Sequence, residues 1–273
     1  MVEQRRAVIK LGGGLITVKN GICEPDHDSI RISTGAIAAL VGNGWTIALV
    51  HGAGSFGHAK AKRWRLTEGP VDVNLGEEDG ITNQREAVAA VREDMMNLNR
   101  LVKNALEEHD IDSVTYHPHK WASGTGESFT GNLDFLGENR VTITHGDVVN
   151  VGNDGFGILS GDDLMLRIAK EWGDVESCIF CLADCDGILT HPPGHADSKL
   201  LKTWDVSIGF RGRHESEIDV TGGIDYKALR AASIAETVPQ VWFVDGRHSE
   251  RIFDACNGTN TIGTRIFDSP VRL

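Results

Sequence analysis

Apolar and polar positions along the chain alternate between short apolar runs and longer helical stripes. Ala7-Val-Ile-Lys10-Leu, Trp45-Thr-Ile-Ala-Leu-Val50, the run from Asp112 to His117, the run from Arg140 closed by Gly146-Asp147, Glu176 to Ala183 and Val241-Trp-Phe-Val have strand length and β-branched content. Ile262-Gly-Thr-Arg-Ile predicts a further strand. Between them lie helical patterns. Ile32, Ile37, Leu40 and Val41 follow a cap at Asp28 or Ser29 and stop at Gly42 and Gly44. From Thr82 to His109, Val88, Val91, Met95, Leu98, Val102 and Leu106 recur every three or four residues as one apolar stripe. That stripe predicts a core-facing helix on which Met95 or Met96 also lines a pocket. Further helices are expected from Leu164 to Glu171 and from Ile224 onward, with a hairpin turn at Asn153-Asp-Gly-Phe-Gly. Strands alternating with helices predict an α/β fold on a parallel sheet, with ligands at the edge where the strands end.

Glycines mark that edge. The first strand ends in Gly12-Gly13-Gly14 and the second in His51-Gly52-Ala53-Gly54-Ser-Phe-Gly57-His58. Such loops expose backbone N–H groups and let an anion, most often a phosphate, approach the main chain. His58 can donate a hydrogen bond and carry charge where that phosphate would sit. Gly52-x-Gly54-x-x-Gly57 formally fits a dinucleotide fingerprint, but the earlier strand carries a different loop, and there is no Walker A sequence. A nicotinamide-dependent oxidoreductase is therefore the weaker reading.

Composition narrows the partners. The 273 residues carry a net charge of −12, which opposes nucleic-acid and anionic-membrane binding and requires local cations around any anionic substrate. Lys10, at a strand end beside glycines, reads either as a solvated lysine or as a phosphate-neutralising one; Lys19 and Lys227 are weaker candidates. Asp162 reads as a helix N-cap or as a carboxylate holding two lysines in register. Asp184 and Asp186 read as turn residues or as contacts to a nucleotide or its Mg²⁺. No apolar run approaches the ~18 residues of a membrane span and Met1-Val-Glu-Gln-Arg-Arg lacks an export-signal core, so a soluble cytoplasmic protein is expected. Five cysteines fit reduced thiols. Strand alternation sends Cys178 and Cys181 to opposite faces, against a metal site with Cys185. His117 and His119 look like a metal pair, but Pro118 between them gives no reason to converge.

Lys10-Leu-Gly-Gly, His51-Gly-Ala-Gly-Ser-Phe-Gly-His58, Gly146-Asp147-Val, Ser160-Gly-Asp-Asp, Asp184-x-Asp186-Gly187 and Asp219-Val-Thr221-Gly222-Gly223-Ile-x-x-Lys227 occur in this order from about Val8 to Ile266. Together they resemble the amino-acid-kinase superfamily and, within it, the isopentenyl phosphate kinases. The resemblance implies an open αβα sandwich around a mainly parallel sheet of about eight strands. It also implies an acceptor lobe over residues 1–173 and an ATP lobe over 174–273 on one continuous sheet, a homodimer, and Mg²⁺ arriving with ATP. The implied reaction is ATP-dependent phosphorylation of isopentenyl phosphate in an alternative mevalonate route to isoprenoids. Lys10, His58, Asp162 and Lys227 are the implied catalytic set. Gly52, Ala53, Gly54, Gly57, Gly146 and Asp147 would join His58 at the acceptor. Gly12, Gly13, Lys19, Asp184, Asp186, Gly187, Thr221, Gly222 and Gly223 would face the nucleotide. Three positions depart from the family pattern: Gly14 for a serine, His145 for an aromatic and Ala183 for a threonine. A fosfomycin-type kinase and a non-catalytic phosphate sensor are the alternatives; an apolar pocket beyond His58 would favour a prenyl tail over fosfomycin.

Overall fold

The computed structural model describes residues 5–71, 76–207 and 223–268. Ten strands are described: β1 (Arg5–Leu11), β2 (Trp45–His51), β3 (Ser113–Thr115), β4 (Val141–His145), β5 (Asp147–Val151), β6 (Gly155–Leu159), β7 (Val175–Leu182), β8 (Thr203–Trp204), β9 (Gln240–Asp245) and β10 (Thr264–Ile266). Eight of them form one sheet in the order β3-β4-β2-β1-β7-β9-β10-β8, parallel except where β10 meets β9. The helices are α1 (Gly13–Ile16), α2 (His27–Gly42), α3 (His58–Arg63), α4 (Gln84–Glu107), α5 (Pro118–Trp121), α6 (Gly161–Glu171), α7 (Gly223–Ala235) and α8 (Ser249–Cys256). Residues from both sides of position 173 meet at the centre of the sheet, where β1 lies between β2 and β7.

Both faces of the sheet are covered, so its central strands read as continuous apolar runs. Side chains alternate between faces. Ala7, Ile9 and Leu11 pack into a core that includes residues of α2, α4 and α8. Val8, one step out of phase, packs into a second core with Leu164, Ile168, Ala228 and Ala231 of α6 and α7. Lys10 shares the phase of Val8, which is what carries its side chain to α6 and α7. Cys181 lies in the first core and Cys178 in the second, as strand alternation requires. Burial pushes both thiols up, away from thiolate chemistry.

Several boundaries shift. The α2 cap is Asp26, whose carboxylate accepts from the Ser29 N–H at 2.9 Å, rather than Asp28 or Ser29. Asn83 caps α4 by accepting from the Glu86 N–H at 3.0 Å, so the helix starts two residues late. Helix α6 begins at Gly161, three residues earlier than its apolar stripe suggests, because Ser160 caps it by accepting from the Asp162 N–H at 3.0 Å. The strand that begins near Arg140 closes at Gly146-Asp147 as the sequence predicts. It breaks at Gly146, whose N–H donates to the His51 carbonyl, and β5 leaves the main sheet to form an antiparallel hairpin with β6. This hairpin, with α3 and α4, encloses a satellite core of Ala61, Trp64, Val88, Val91, Met95 and Val148.

Candidate active site

Beyond the carboxyl ends of β1, β2 and β7 lies a cavity of about 1220 Å³. Its floor consists of the two glycine loops pressed together. A Cβ on Gly52 would lie 2.6 Å from the Gly13 nitrogen, and one on Gly13 would collide with the Gly54 backbone. Gly54 adopts φ 51°, in the region that favours glycine. Thr17 ties the loops: its hydroxyl donates to the Gly13 carbonyl at 2.8 Å and accepts from the Ser55 N–H at 3.0 Å. Glycine is needed at these positions because two backbones must touch. At Gly12 the neighbour is the Cys181 carbonyl, 2.8 Å from where a Cβ would stand. Gly14 has open space instead.

Lys10 reaches the cavity from the α6–α7 face of the sheet and is only 6% exposed. Its ammonium pairs with Oδ1 of Asp162, and the Lys227 ammonium lies 3.6 Å from Oδ2 of the same carboxylate. Asp162 is thus the organiser of two lysines and not the helix cap, a role Ser160 fills. In this water-poor setting one carboxylate between two ammonium groups leaves a local excess of positive charge. Lys227 also donates to the Gly223 carbonyl at 3.4 Å.

His58 is the first residue of α3 and lines the same cavity. The rest of α3 adds Lys60, Lys62 and Arg63, of which Lys62 and Arg63 line the cavity while Lys60 pairs with Asp94 at 2.5 Å. These residues were missed in the sequence, although His58-Ala-Lys60-Ala-Lys62-Arg63 is a cationic run in an acidic protein and follows directly on a phosphate-type loop. Behind His58 the wall is apolar, formed by Ala53, Ala61, Val91, Met95, Val148 and Ile158. Met95 therefore lines the pocket as well as the core; Met96 is 37% exposed and does not.

The remaining candidates divide. Gly12, Gly13, Lys19, Gly52, Ala53, Gly54, Gly57, Gly146, Asp184 and Gly187 all line the cavity. Asp147 lines it too, but its carboxylate accepts from the backbone and ring of His119, at 3.1 and 2.7 Å, and from the Val148 N–H at 2.8 Å. Burial would raise Asp147, but the His119 bonds hold it below the usual carboxylate range. Asp184 pairs with Arg247 at 3.1 Å, and Asp186 pairs with Arg251 at 2.5 Å outside the cavity lining. Thr221 and Gly222 lie outside the described residues; Gly223 opens α7 without lining the cavity.

The histidines behind the loops form a connected chain. Carbonyl oxygens can only accept, so His145 donates from Nδ1 to Gly146 at 2.9 Å and His51 from Nδ1 to Gly52 at 3.1 Å. Nε2 of neutral His145 must then accept, and His117 Nδ1 donates to it at 2.8 Å. Burial, reinforced by the neighbouring His145, pushes His51 down to about 3 and His117 down to about 4. His117 and His119 have separate partners and do not converge on an ion. Among the described residues no group of three or more His, Cys, Asp or Glu is arranged to hold a metal.

A mainly parallel αβα sheet, paired glycine loops and a carboxylate-held lysine pair define a phosphate-handling transferase. The chain belongs to the amino acid kinase family, whose model matches residues 5–245. It is 30% identical to isopentenyl phosphate kinase of Thermoplasma acidophilum over 251 residues, covering 90% of this chain and 94% of that protein. It is 30% identical over 281 residues to isopentenyl phosphate kinase of Methanothermobacter thermautotrophicus, covering 95% and 98%. A crystal structure of an isopentenyl phosphate kinase substrate complex superposes with a TM-score of 0.76 at 26% identity, over 96% of this chain and 99% of that one. Membership of a kinase family implies a nucleoside triphosphate as phosphoryl donor. No helix among the described residues is long and apolar enough to cross a membrane.

Proposed function

We propose that this chain is an isopentenyl phosphate kinase: it transfers the γ-phosphoryl group of ATP to isopentenyl phosphate, giving isopentenyl diphosphate and ADP on an alternative mevalonate route. The observation that carries the choice of acceptor is the composition of one cavity wall. His58 and the glycine loop suit a phosphate, and the apolar surface of Val91, Met95 and Ile158 behind them suits a short hydrocarbon tail. A shallow polar pocket, which fosfomycin would require, is not what lies there.

The chemistry asks little of acid–base groups. A phosphomonoester has a second pKa of about 6, so near neutral pH its attacking oxygen is already an anion. The barrier lies in bringing two polyanions together and stabilising charge on the moving phosphoryl group. His58 and the Ala53–Gly54 backbone hold the acceptor phosphate, and Lys10 and Lys227, kept in register by Asp162, face the transferred group. Asp184, Gly187 and the Thr221-Gly222-Gly223 segment serve the nucleotide from an ATP lobe over residues 174–273, and Gly12, Gly13 and Lys19 reach it from the acceptor lobe over residues 1–173. No His, Cys, Asp or Glu cage is formed among the described residues, and a Mg²⁺ ion arriving with ATP would be held mainly by nucleotide phosphates, whose charge it would screen. A cytoplasmic homodimer completes the proposal.

A coupled ADP-release assay run in parallel on isopentenyl phosphate, dimethylallyl phosphate, fosfomycin and N-acetylglutamate tests it. Highest kcat/KM with a prenyl phosphate is expected; preference for fosfomycin or N-acetylglutamate would overturn the assignment.

A further inference from the structure

Two adjacent carboxylates at the start of α6 face different partners on α7. Asp162 lies 3.6 Å from the Lys227 ammonium. Asp163, 2% exposed, accepts from the Tyr226 hydroxyl at 2.7 Å and from Nε of Arg230 at 2.9 Å. Arg230 also donates to the Tyr226 oxygen at 2.7 Å, and its other arm pairs with Glu127 in the short helical turn Gly126–Ser128. Tyr226 and Arg230 are four residues apart, so they stand one above the other on α7. Lys227 lies between them in sequence, its side chain directed to Asp162. A buried carboxylate with strong donors has one satisfied geometry and many costly ones. Burial and Asp163 push the Tyr226 phenol up to about 12, so the hydroxyl stays a donor across the working pH range.

We infer that Asp163, with Tyr226 and Arg230, is a positioning device for the reaction: it fixes the rotation and height of α7 against α6 and so sets where Lys227 meets the transferred phosphoryl group. Asp163 touches no reacting atom. It acts through α7, and the inference rests on the phosphoryl-transfer reading proposed above. The fold gives the reason for such a clamp. α6 and α7 pack mainly through Leu164, Ile168, Ala228, Ala231 and other apolar groups, which resist separation but specify rotation weakly. Lysine is a long, flexible side chain, and an error of about 1 Å at a reacting group can cost on the order of a hundredfold in rate.

The test compares Asp163→Asn, Tyr226→Phe and Arg230→Lys with Arg167→Ala, a control on the other side of α6. Arg167 there donates to the Phe129 and Gly131 carbonyls and pairs with Glu171, away from α7. Two readouts are taken: steady-state ADP release, and Mg·ATP affinity by calorimetry without acceptor. For Asp163→Asn we expect kcat down at least about tenfold, acceptor KM within about twofold, and Mg·ATP affinity down by about threefold or more. Tyr226→Phe and Arg230→Lys should fall between it and the parent. Arg167→Ala should lower the thermal midpoint without the kcat loss. Parent-like kcat and affinity in Asp163→Asn, or losses matched by Arg167→Ala, would overturn the inference. If the parent releases no ADP with any acceptor, the proposed reaction fails and the calorimetric comparison alone decides the clamp. If Asp163→Asn does not fold, Tyr226→Phe, which removes a single hydroxyl, decides: parent-like kcat and affinity there would overturn the inference.

Discussion

His117 donates from Nδ1 to Nε2 of His145 across 2.8 Å, and the Gly146 carbonyl beyond His145 fixes the direction of that bond. Protonating either imidazole would place a charge in a poorly hydrated setting, where His145 is fully buried and His117 half-buried beside it. Both residues are therefore neutral in the folded protein. His117 is pushed down to about 4 and His51, at the foot of the acceptor loop, to about 3, while unfolded histidine titrates near 6.5. Below about 6.5 the unfolded chain binds more protons than the folded one, so stability is complete above that value and falls as pH drops toward 4 and 3. Denaturant midpoints measured at about pH 7.5, 6 and 5 should decline, and His117→Asn should flatten the decline. A parent midpoint constant from about pH 6.5 to 5 would contradict this account.

His58 opens α3 at the cavity wall, where the proposed reading places the acceptor phosphate. His58→Ala should lower kcat/KM for isopentenyl phosphate by about a hundredfold or more, the range seen when a transition-state donor is removed, while Mg·ATP binding survives. His58→Gln retains a donor without the full charge and should lose less. Equal losses in both variants would assign the effect to charge rather than donation.

The glycine loops separate two kinds of glycine. Gly54→Ala places a methyl group against Thr17 and the Gly13 backbone in a left-handed conformation, and should cost on the order of 1–3 kcal/mol together with most of the activity. A Cβ at Gly14 meets no atom within 4 Å, so Gly14→Ser should fold with parental stability. Its hydroxyl would stand at the cavity wall, so the expected kinetic change is an unchanged or lower KM for one of the two phosphate substrates. Thermal melts and steady-state kinetics on the pair distinguish these outcomes.

Lys10→Ala should be felt twice. On the proposed reading it removes a cation from the transferred phosphoryl group, and it strips the buried Asp162 carboxylate of its closer ammonium, leaving Lys227 at 3.6 Å and the Ser160 hydroxyl at 3.5 Å. Breaking a buried pair from one side typically costs about 3–5 kcal/mol. The double variant Lys10→Met, Asp162→Leu should recover much of that stability in denaturant titrations while remaining inactive. Recovery of activity along with stability would exclude a chemical role for the pair.

The amino-acid sequence by itself determined the α/β class, the strands that carry the loops and the two-faced placement of Cys178 and Cys181, and its motifs singled out Lys10, His58, Asp162 and Lys227 through their family resemblance. These were legible because strand alternation, helical periodicity and glycine clusters are local signals. They are carried by residues near one another in the chain, and the ordered motifs added a strong resemblance. Tertiary structure alone decided the rest. Gly13 and Gly54 are glycines because distant loops touch backbone to backbone. Asp162 is an organiser because Ser160 took the cap and β1 turned Lys10 toward it. Lys62 and Arg63 became cavity residues only once α3 folded over the loop. His145, Asp163 and Arg230 found partners far away in sequence: no local pattern distinguishes a polar side chain that will be buried against a partner from one that will face water.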